Sequence, residues 1–314
     1  MVQNRQPRKQ KPATKYDMNL VKLVDHFHSE DACRAYLEDL RWPDGMACLR
    51  CGSTSVSRIS TRDQLDCNSC RYRFSATTGT IFHDTHLPLW KWFLAAYTMI
   101  ESKKGVSANQ IKRELGISYK TAWYLCHRIR DAMTQAQAKA KPLSGIVEAD
   151  ETFVGGKTQG MGRAYKGNKA IVVGVVQRKG EVRLQVAEDR SRKVLHEIVV
   201  KNTAPETEAI YTDEWVGYDR LGDEDTRHET VNHSIDEYVR GDVHTNSAES
   251  VWSLLKRSIV GSYHQVSVKH LPAYVEELEW RFSQRDNPFL FRDTMRHLIK
   301  ADRLRYKILT SSNG

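Results

Sequence analysis

The sequence predicts a chain of several domains, in which a small metal-bound ribbon and a helix-turn-helix precede a mixed α/β domain. Three observations carry this prediction. Two Cys-x2-Cys pairs lie between residues 48 and 70, and two short helical patterns meet at Gly116. Segments of strand character then begin near residue 146, and three spaced carboxylates follow them, Asp150, Asp213 and Glu249.

The net positive charge is concentrated in the first half of the chain. Residues 1–141 contain 23 Lys and Arg against 13 Asp and Glu, whereas residues 145–314 contain 25 against 26. Such segregation indicates a phosphate-binding surface, because each Lys or Arg contact to a nucleic acid releases a condensed counterion. A well-solvated basic surface is the ordinary alternative. At 314 residues the chain has room for about two domains and a small appendage.

No targeting or membrane segment is recognisable. The N-terminus is basic and polar without a following apolar block, and the clearest apolar run is only the seven residues 170–176. We therefore expect a cytoplasmic, nucleoid-associated protein without membrane contact. In a reducing cytosol, paired cysteines are better explained as metal ligands than as disulfides.

The first 86 residues fall into three stretches of different composition. Residues 1–16 are rich in Lys, Arg, Gln and Pro and predict a disordered basic arm. Residues 17–42 have helical apolar spacing that ends at Trp42 before a proline. Residues 43–86 are rich in Cys, Gly, Ser and Thr, which suits small hairpins around a metal.

The paired cysteines predict one structural zinc site in a zinc ribbon. A Cys-x2-Cys knuckle presents two thiolates to a tetrahedral Zn²⁺ ion, and 15 residues separate the two knuckles. The predicted ligands are Cys48, Cys51, Cys67 and Cys70. Four thiolates close the site against substrate. Cys33 and Cys126 lie outside the spacing and are predicted to be buried apolar residues.

Residues 87–141 predict helices that include a helix-turn-helix. Gly116 supplies the turn between two helices, and Ser118 can cap the second. Helix-turn-helix proteins place such a second helix in the major groove, so we predict Lys120, Arg128 and Arg130 as DNA contacts. An ordinary helical hairpin has the same shape and remains an alternative.

The α/β domain is predicted over residues 145–290, with a helical tail at 291–314. Strand-like segments cover 146–154, 170–178, 181–187, 208–212 and 226–232, with helices near 192–200, 246–259 and 269–282. Three strands, a helix, two strands and a helix are the order of an RNase H-like mixed sheet.

Three carboxylates in this domain have the spacing of a divalent-metal site. Asp150 lies within a strand among apolar neighbours, where a carboxylate needs a partner or a metal. Asp213 follows an apolar segment at the expected C-terminal end of a strand, where open sheets usually bind ligands. Mg²⁺ prefers such hard oxygen ligands, and two ions can drive phosphoryl transfer.

Glu249 is the third carboxylate, and it lies on a predicted helix. Helical spacing places Asn246, Glu249 and Lys256 on one face, so that Lys256 can approach a phosphate beside the metals. Glu249 could instead complete a capping box with Asn246 as the N-cap. Asp213 could cap the next turn, and Glu148, Glu151 or Glu214 could be the true ligands. The three carboxylates in this order are stronger evidence for a metal site than any one of them alone.

Three runs of sequence resemble bacterial insertion-sequence transposases related to the Merlin superfamily, the ISXO2-like transposase family. They are VEADETFVGGK (147–157), YTDEWVGY (211–218) and HTNSAESVWSLLKR (244–257), followed by GSYH (261–264) and KHL (269–271) with Tyr274. A zinc ribbon and a helix-turn-helix ahead of the catalytic domain are also typical of that family. The resemblance covers nearly all of residues 20–290. One departure is Ser283, where the family pattern leads us to expect Asn.

The resemblance implies a DDE enzyme with Asp150, Asp213 and Glu249 as its triad in an RNase H-like domain. It implies hydrolysis at the element's ends with Mg²⁺ or Mn²⁺, followed by attack of the freed 3′-hydroxyl on target DNA. The implied partners are the terminal inverted repeats, target DNA and further copies of the chain. Asn246 and Lys256 would help to position phosphate. A DNA-binding regulator with an inactive α/β domain and a nuclease that does not join strands are the alternatives.

Overall fold

The structure is a computed structural model that describes residues 18–59, 62–155, 169–222, 226–231 and 239–311. The basic arm expected at residues 1–16 lies outside these ranges, as does the end of the 147–157 run. No helix in the described ranges is both long and apolar enough to cross a membrane.

Two helices and a three-stranded ribbon begin the described chain. Their bounds are α1 (Leu20–His26), α2 (Glu30–Arg41), β1 (Val56–Ile59), β2 (Gln64–Cys67) and β3 (Arg73–Phe74). The predicted helical segment holds two helices because Ser29 starts the second: its hydroxyl accepts a hydrogen bond from the backbone N–H of Ala32. The ribbon strands are antiparallel in the order β1-β2-β3.

Three helices follow, α3 (Leu89–Glu101), α4 (Ala108–Leu115) and α5 (Tyr119–Gln137). The helix, turn and helix are present where predicted. Gly116 ends α4 in the left-handed region at φ 59°, which costs glycine little. Ser118 caps α5 by accepting a hydrogen bond from the backbone N–H of Thr121 at 3.1 Å. α5 continues past Arg130 to Gln137, within the region predicted to be helical.

A five-stranded mixed sheet forms the α/β domain. Its elements are β4 (Leu143–Val154), β5 (Ala170–Gln177), β6 (Val182–Ala187), α6 (Arg192–Asn202), β7 (Thr203–Asp213), β8 (Arg227–Val231), α7 (Asn246–Ser258) and α8 (Leu271–Ser283). The strand order is β6-β5-β4-β7-β8. β5 is antiparallel to β4 and β6, whereas β7 is parallel to β4 and β8. This arrangement confirms the predicted RNase H-like fold.

The two faces of the sheet bury different helices, because side chains alternate along each strand. Val147 and Val173 pack on the α6 side with Leu195. Val172 and Val176 pack on the other side against α7 and α8. Glu148 and Asp150 have the same parity on β4, and their contacts are with α7. The α7 face therefore carries Glu148 and Asp150.

The C-terminal helices, α9 (Leu290–Lys300) and α10 (Tyr306–Thr310), return to the front of the chain. Phe291 of α9 lies in one buried cluster with Phe27 and Phe93, its ring centroid 6.2 Å from that of Phe93. The segment predicted as a tail is thus part of the N-terminal helical core. Ser283, the departure from the family pattern, ends α8 and accepts a hydrogen bond from the backbone N–H of Val182.

A buried ion pair joins α5 to α8. The Nε atom of Arg130 lies 2.6 Å from a Glu277 carboxylate oxygen, and both side chains are almost inaccessible to solvent. The hydroxyl of Tyr263 and the guanidinium of Arg281 donate to the other oxygen of Glu277. Burial alone would lower the pKa of Arg130, but Glu277 raises it, so the guanidinium keeps its charge. The pair connects the helix-turn-helix to the sheet domain, because α8 also packs on β6.

Replacing Glu277 with Ala should lower the free energy of unfolding by about 3–5 kcal/mol, since it leaves two buried guanidinium groups without their carboxylate. Urea denaturation measures this change. Glu114→Ala on exposed α4 is the control, for which we expect less than about 0.5 kcal/mol. Adding Arg130→Met to Glu277→Ala should recover part of the loss, and a loss no larger than that of the control would contradict this account.

Candidate catalytic and zinc sites

The four ribbon cysteines converge on one point. Their sulfur atoms all lie within 4.8 Å of one another, and the Cys48–Cys70 and Cys51–Cys67 pairs are 3.6 Å apart. A tetrahedral zinc with bonds of about 2.3 Å needs sulfur atoms about 3.8 Å apart, so the quartet fits the ion. Backbone N–H groups also point at the sulfurs of Cys48 and Cys67, as expected for thiolate ligands.

Asp150 and Asp213 lie on two adjacent parallel strands, Asp150 within β4 and Asp213 at the end of β7. Glu148 of β4 pairs with Tyr211 of β7, and the two aspartates each follow these partners by two residues. Burial raises the pKa of Asp150 to about 7, while a hydrogen bond from the Trp252 indole opposes this and the nearby Asp213 adds to it. A carboxylate pair in this state suits a divalent cation, which would offset both burial and repulsion.

Glu249 lies on the first turns of α7, next to β4. The Nε1 atom of Trp252 donates to Asp150 at 2.7 Å, and Glu249 precedes Trp252 by one helical turn on the same face. The Glu249 side chain itself is exposed. Within the described residues, only the cysteine quartet brings three or more candidate ligand atoms within 4.8 Å of one another. The three carboxylates therefore do not all converge within that distance.

The capping-box interpretation of Glu249 is wrong. Thr245 is the N-cap of α7 and makes no side-chain cap, and Asn246 is already helical. Glu148 of β4 caps this helix instead: its carboxylate accepts hydrogen bonds from the backbone N–H groups of Ser247 at 2.7 Å and Ala248 at 3.1 Å. Glu249 is left free of a local capping role.

The alternative ligands have other surroundings. Both oxygens of Glu148 are engaged, since Arg178 and the Ser247 hydroxyl also donate to it. Glu151 points to the α6 side, where the Tyr218 hydroxyl donates to it at 2.7 Å and Arg190 lies 3.7 Å away. Burial raises the pKa of Glu151, and the hydrogen bond from Tyr218 opposes this. Glu214 is exposed beside Asp213.

Sequence reasoning missed two functions of side chains at this site, the cap provided by Glu148 and the indole donor of Trp252. Both are long-range contacts between β4 and a helix about 100 residues later in the sequence. The one local signal is that Glu148 precedes Asp150 by two residues, which places two carboxylates on one face of a buried strand.

Two segments of the chain match known protein families. Residues 28–73 match a transposase zinc-ribbon domain, and residues 142–283 match an ISXO2-like transposase domain. An uncharacterised protein in the transposable element ISH50 of Halobacterium salinarum is 30% identical over 278 residues, which are 82% of this chain and 92% of the relative. The chain belongs to the ISXO2-like transposase family. The family resemblance predicted from the three motifs is thereby confirmed.

Two solved structures have a distant likeness to this ISXO2-like family member. The Mos1 strand transfer complex is 10% identical, with 66% of this chain and 75% of that chain covered and a TM-score of 0.29. The Mos1 mariner paired end complex with Mn is 11% identical, with the same coverage and TM-score. Likeness at this level does not define the ligands or the reaction of this chain.

The helix-turn-helix of this ISXO2-like family member presents fewer residues to DNA than predicted. Arg130 is buried in its ion pair with Glu277. Arg128 is 5% exposed, donates to the backbone carbonyl of His83 and stacks on Trp92. Neither can contact DNA in this fold, so both predictions are wrong. Lys120 is exposed at the start of α5, with its ammonium 4.8 Å from the ring centroid of Tyr306.

The predicted phosphate-positioning residues lie on α7. Asn246 and Lys256 are both exposed, and with Glu249 they have spacings of three and seven residues on a regular helix. They therefore form one face with Glu249, which is the arrangement that the sequence predicts. Their contact with phosphate stays a prediction.

Zinc content should follow the ribbon cysteines alone. We expect one zinc ion per chain, and Cys51→Ser should reduce it well below that value because three thiolates do not close the tetrahedron. Elemental analysis of the purified protein measures the ratio. Cys33→Ser, in a buried cysteine outside the ribbon quartet, is the control and should retain one zinc even where it lowers stability. Equal zinc in the two variants would rule out the quartet as the site.

Because the pKa of Asp150 is raised, removing its charge should stabilise the fold to an extent that depends on pH. The folded-state pKa of about 7 exceeds the ordinary 3.8. The neutral carboxyl therefore contributes fully to stability at pH values below 3.8, and this contribution is lost as the pH rises through about 7. In magnesium-free buffer, Asp150→Asn should therefore raise the melting temperature at about pH 8 and change it little at about pH 4. Chelators are avoided because they remove zinc.

Asp286→Asn is the matched control, because its carboxyl is 87% exposed. It should leave the melting temperature unchanged at both pH values. A lower melting temperature for Asp150→Asn at about pH 8 would contradict this prediction, because it would mean that the charged carboxylate stabilises the fold.

Proposed function

We propose that this protein is a DNA transposase of an insertion sequence, which cuts DNA at the ends of its element and joins them to a target. The observation that carries the proposal is the position of Asp150 and Asp213 on two adjacent parallel strands, each two residues beyond the last residues that pair β4 with β7, with Glu249 on the facing helix, in a chain of the ISXO2-like transposase family. These three residues are the proposed DDE triad.

The reaction we propose has two steps of phosphoryl transfer. In the first, water attacks a phosphodiester at the element end, the bond between phosphorus and the 3′ oxygen breaks, and a free 3′-hydroxyl results. In the second, this hydroxyl attacks a phosphodiester of the target, whose own 3′ oxygen leaves. Divalent cations bound at the triad, Mg²⁺ or Mn²⁺, would stabilise the attacking and leaving oxygens.

The hydrogen bonds of Asp150 leave room for the bridging position between two cations. One oxygen accepts from the Trp252 indole and the other from the backbone N–H of Glu151. Each carboxylate oxygen can accept at two positions, so each keeps one for a cation. Asp150 can thus contact two cations without losing either protein contact. Asp213 and Glu249 are proposed to hold one each.

DNA is the proposed partner, and the exposed basic residues suggest where it binds. Lys120 begins the second helix of the helix-turn-helix, the position that contacts base edges or phosphates in proteins of this type. Lys256 and Asn246 share the Glu249 face of α7 and are proposed to position phosphates at the triad. Because two element ends must be held together, we propose that the DNA complex contains two or more copies of the chain.

Asp213→Asn should abolish both nicked and joined products when the protein is mixed with Mg²⁺ and linear DNA bearing the sequences that flank its gene. Loss of a metal ligand removes several kcal/mol of transition-state stabilisation, or about a thousandfold in rate. Gel analysis of end-labelled DNA measures both products. Asp219→Asn is the control: Asp219 is half-exposed, pairs with Arg192 and follows the same strand end.

Each alternative function has its own result in this assay. Binding without cleavage by the wild type would favour a DNA-binding regulator. Cleavage without joined products would favour a nuclease. Equal products from the wild type and Asp213→Asn would remove Asp213 from the triad.

A further inference from the structure

We propose that Glu148 is a positioning residue, which fixes the metal-binding carboxylate of Glu249 by anchoring the N-terminus of α7 to β4. Trp252 provides the second anchor of the same helix. The inference rests on the proposed function, and it adds a requirement for two residues that lie outside the triad.

The first anchor is a helix cap supplied by the sheet. Glu148 is 0% exposed and accepts from the backbone N–H groups of Ser247 and Ala248 and from the Ser247 hydroxyl. The first N–H groups of a helix have no partner within it, and α7 has no side-chain cap of its own. A carboxylate at this end also interacts favourably with the helix dipole. Glu148 therefore fixes both the position and the direction of the first turn.

The charge of Glu148 is balanced on the side away from α7. Arg178 donates to it at 2.8 Å and donates also to the backbone carbonyl of His244 at 3.1 Å. The Nδ1 atom of His244 lies 3.3 Å from the same carboxylate. The segment leading into α7 is thus tied to the carboxylate that caps it. Four hydrogen bonds, from two backbone N–H groups, the Ser247 hydroxyl and Arg178, take its accepting positions, so Glu148 has none left for a cation.

The second anchor is one turn beyond Glu249. The Trp252 indole donates to Asp150, and its ring packs on Gly174 of β5. A Cβ at residue 174 would lie 2.6 Å from that ring, so only glycine permits the approach. The helix is therefore held against the sheet by a buried aromatic ring as well as by its cap.

Glu249 lies between these two anchors and depends on them. It directly follows Ala248 and precedes Trp252 by one turn. Among the described residues, no hydrogen bond or ion pair holds its exposed carboxylate, so the helix backbone sets its position. Rotation or fraying of the first turn would move Glu249 away from Asp150. Positioning of this kind typically changes metal affinity by about 10–100-fold.

Mn²⁺ titration of the zinc-loaded protein, with free Mn²⁺ measured by electron paramagnetic resonance, tests the inference without catalysis. The variants are Glu148→Gln, Glu249→Ala and their combination. Glu279→Gln is the matched control, because Glu279 is also buried and accepts a backbone N–H from Leu184, but on α8. Trp252→Phe keeps an aromatic side chain but removes the indole donor and shortens the ring that packs on Gly174, so it tests the second anchor if Glu148→Gln does not fold.

We expect Glu148→Gln to weaken one Mn²⁺ site about tenfold and Glu279→Gln to leave both unchanged. In the Glu249→Ala background, Glu148→Gln should have no further effect, because Glu148 acts through Glu249. Trp252→Phe should weaken Mn²⁺ binding in the same direction. Affinities equal to those of the control, or a further loss in the Glu249→Ala background, would overturn the positioning role.

Failure of the proposed function gives a different result. If the wild type, Asp213→Asn and Glu249→Ala all bind Mn²⁺ alike, the triad is not a metal site, and the positioning role falls with it. If the triad variants lose Mn²⁺ while Glu148→Gln and Trp252→Phe match the wild type, the metal site stands and only the positioning role is refuted.

Discussion

The buried pair of Arg130 and Glu277 is the interaction on which the arrangement of the molecule depends. It lies between α5, which continues the helix-turn-helix, and α8, which packs on the edge strand β6. A buried charge without its partner costs several kcal/mol, so the two helices have one strongly preferred register. Arg281 extends this constraint to the end of α3 by donating to the carbonyls of Ser102 and Lys103. The helix-turn-helix and the α/β sheet are therefore rigidly connected.

This constraint divides α5 into two parts with different tasks. Its first turn, with Lys120, is exposed, whereas His127, Arg128 and Arg130 are buried. Burial lowers the pKa of His127 to about 3, which keeps the ring neutral beside Arg130. The same helix thus presents its N-terminus outward and uses its centre as core. The helix-turn-helix is thereby connected to the sheet without a flexible linker.

The sequence predicted most of the fold because its local signals were strong. Alternating and continuous apolar runs located the five strands, and Gly116 with Ser118 located the turn of the helix-turn-helix. Arg128 and Arg130 were misassigned because a basic residue near a recognition helix has the same local pattern whether it faces DNA or a buried carboxylate. Glu277 lies 147 residues from Arg130, so no local pattern connects them. The α9 return to the N-terminal core was missed for the same reason.

The acids of β4 are a second case in which local sequence was not enough. Residue type alone could not separate a candidate metal ligand from a carboxylate that is held by other side chains. Glu148, Asp150 and Glu151 are nearly consecutive acids on one strand, yet their surroundings differ. Glu148 is saturated by donors and Glu151 is held by Tyr218 and Arg190 on the opposite face. Asp150 keeps accepting positions and carries a pKa raised by burial to about 7. An acid that is buried without a cationic partner destabilises the ionised fold, and a bound cation would offset that cost. Of the three acids on this strand, Asp150 is therefore the one whose environment a metal ion would complete.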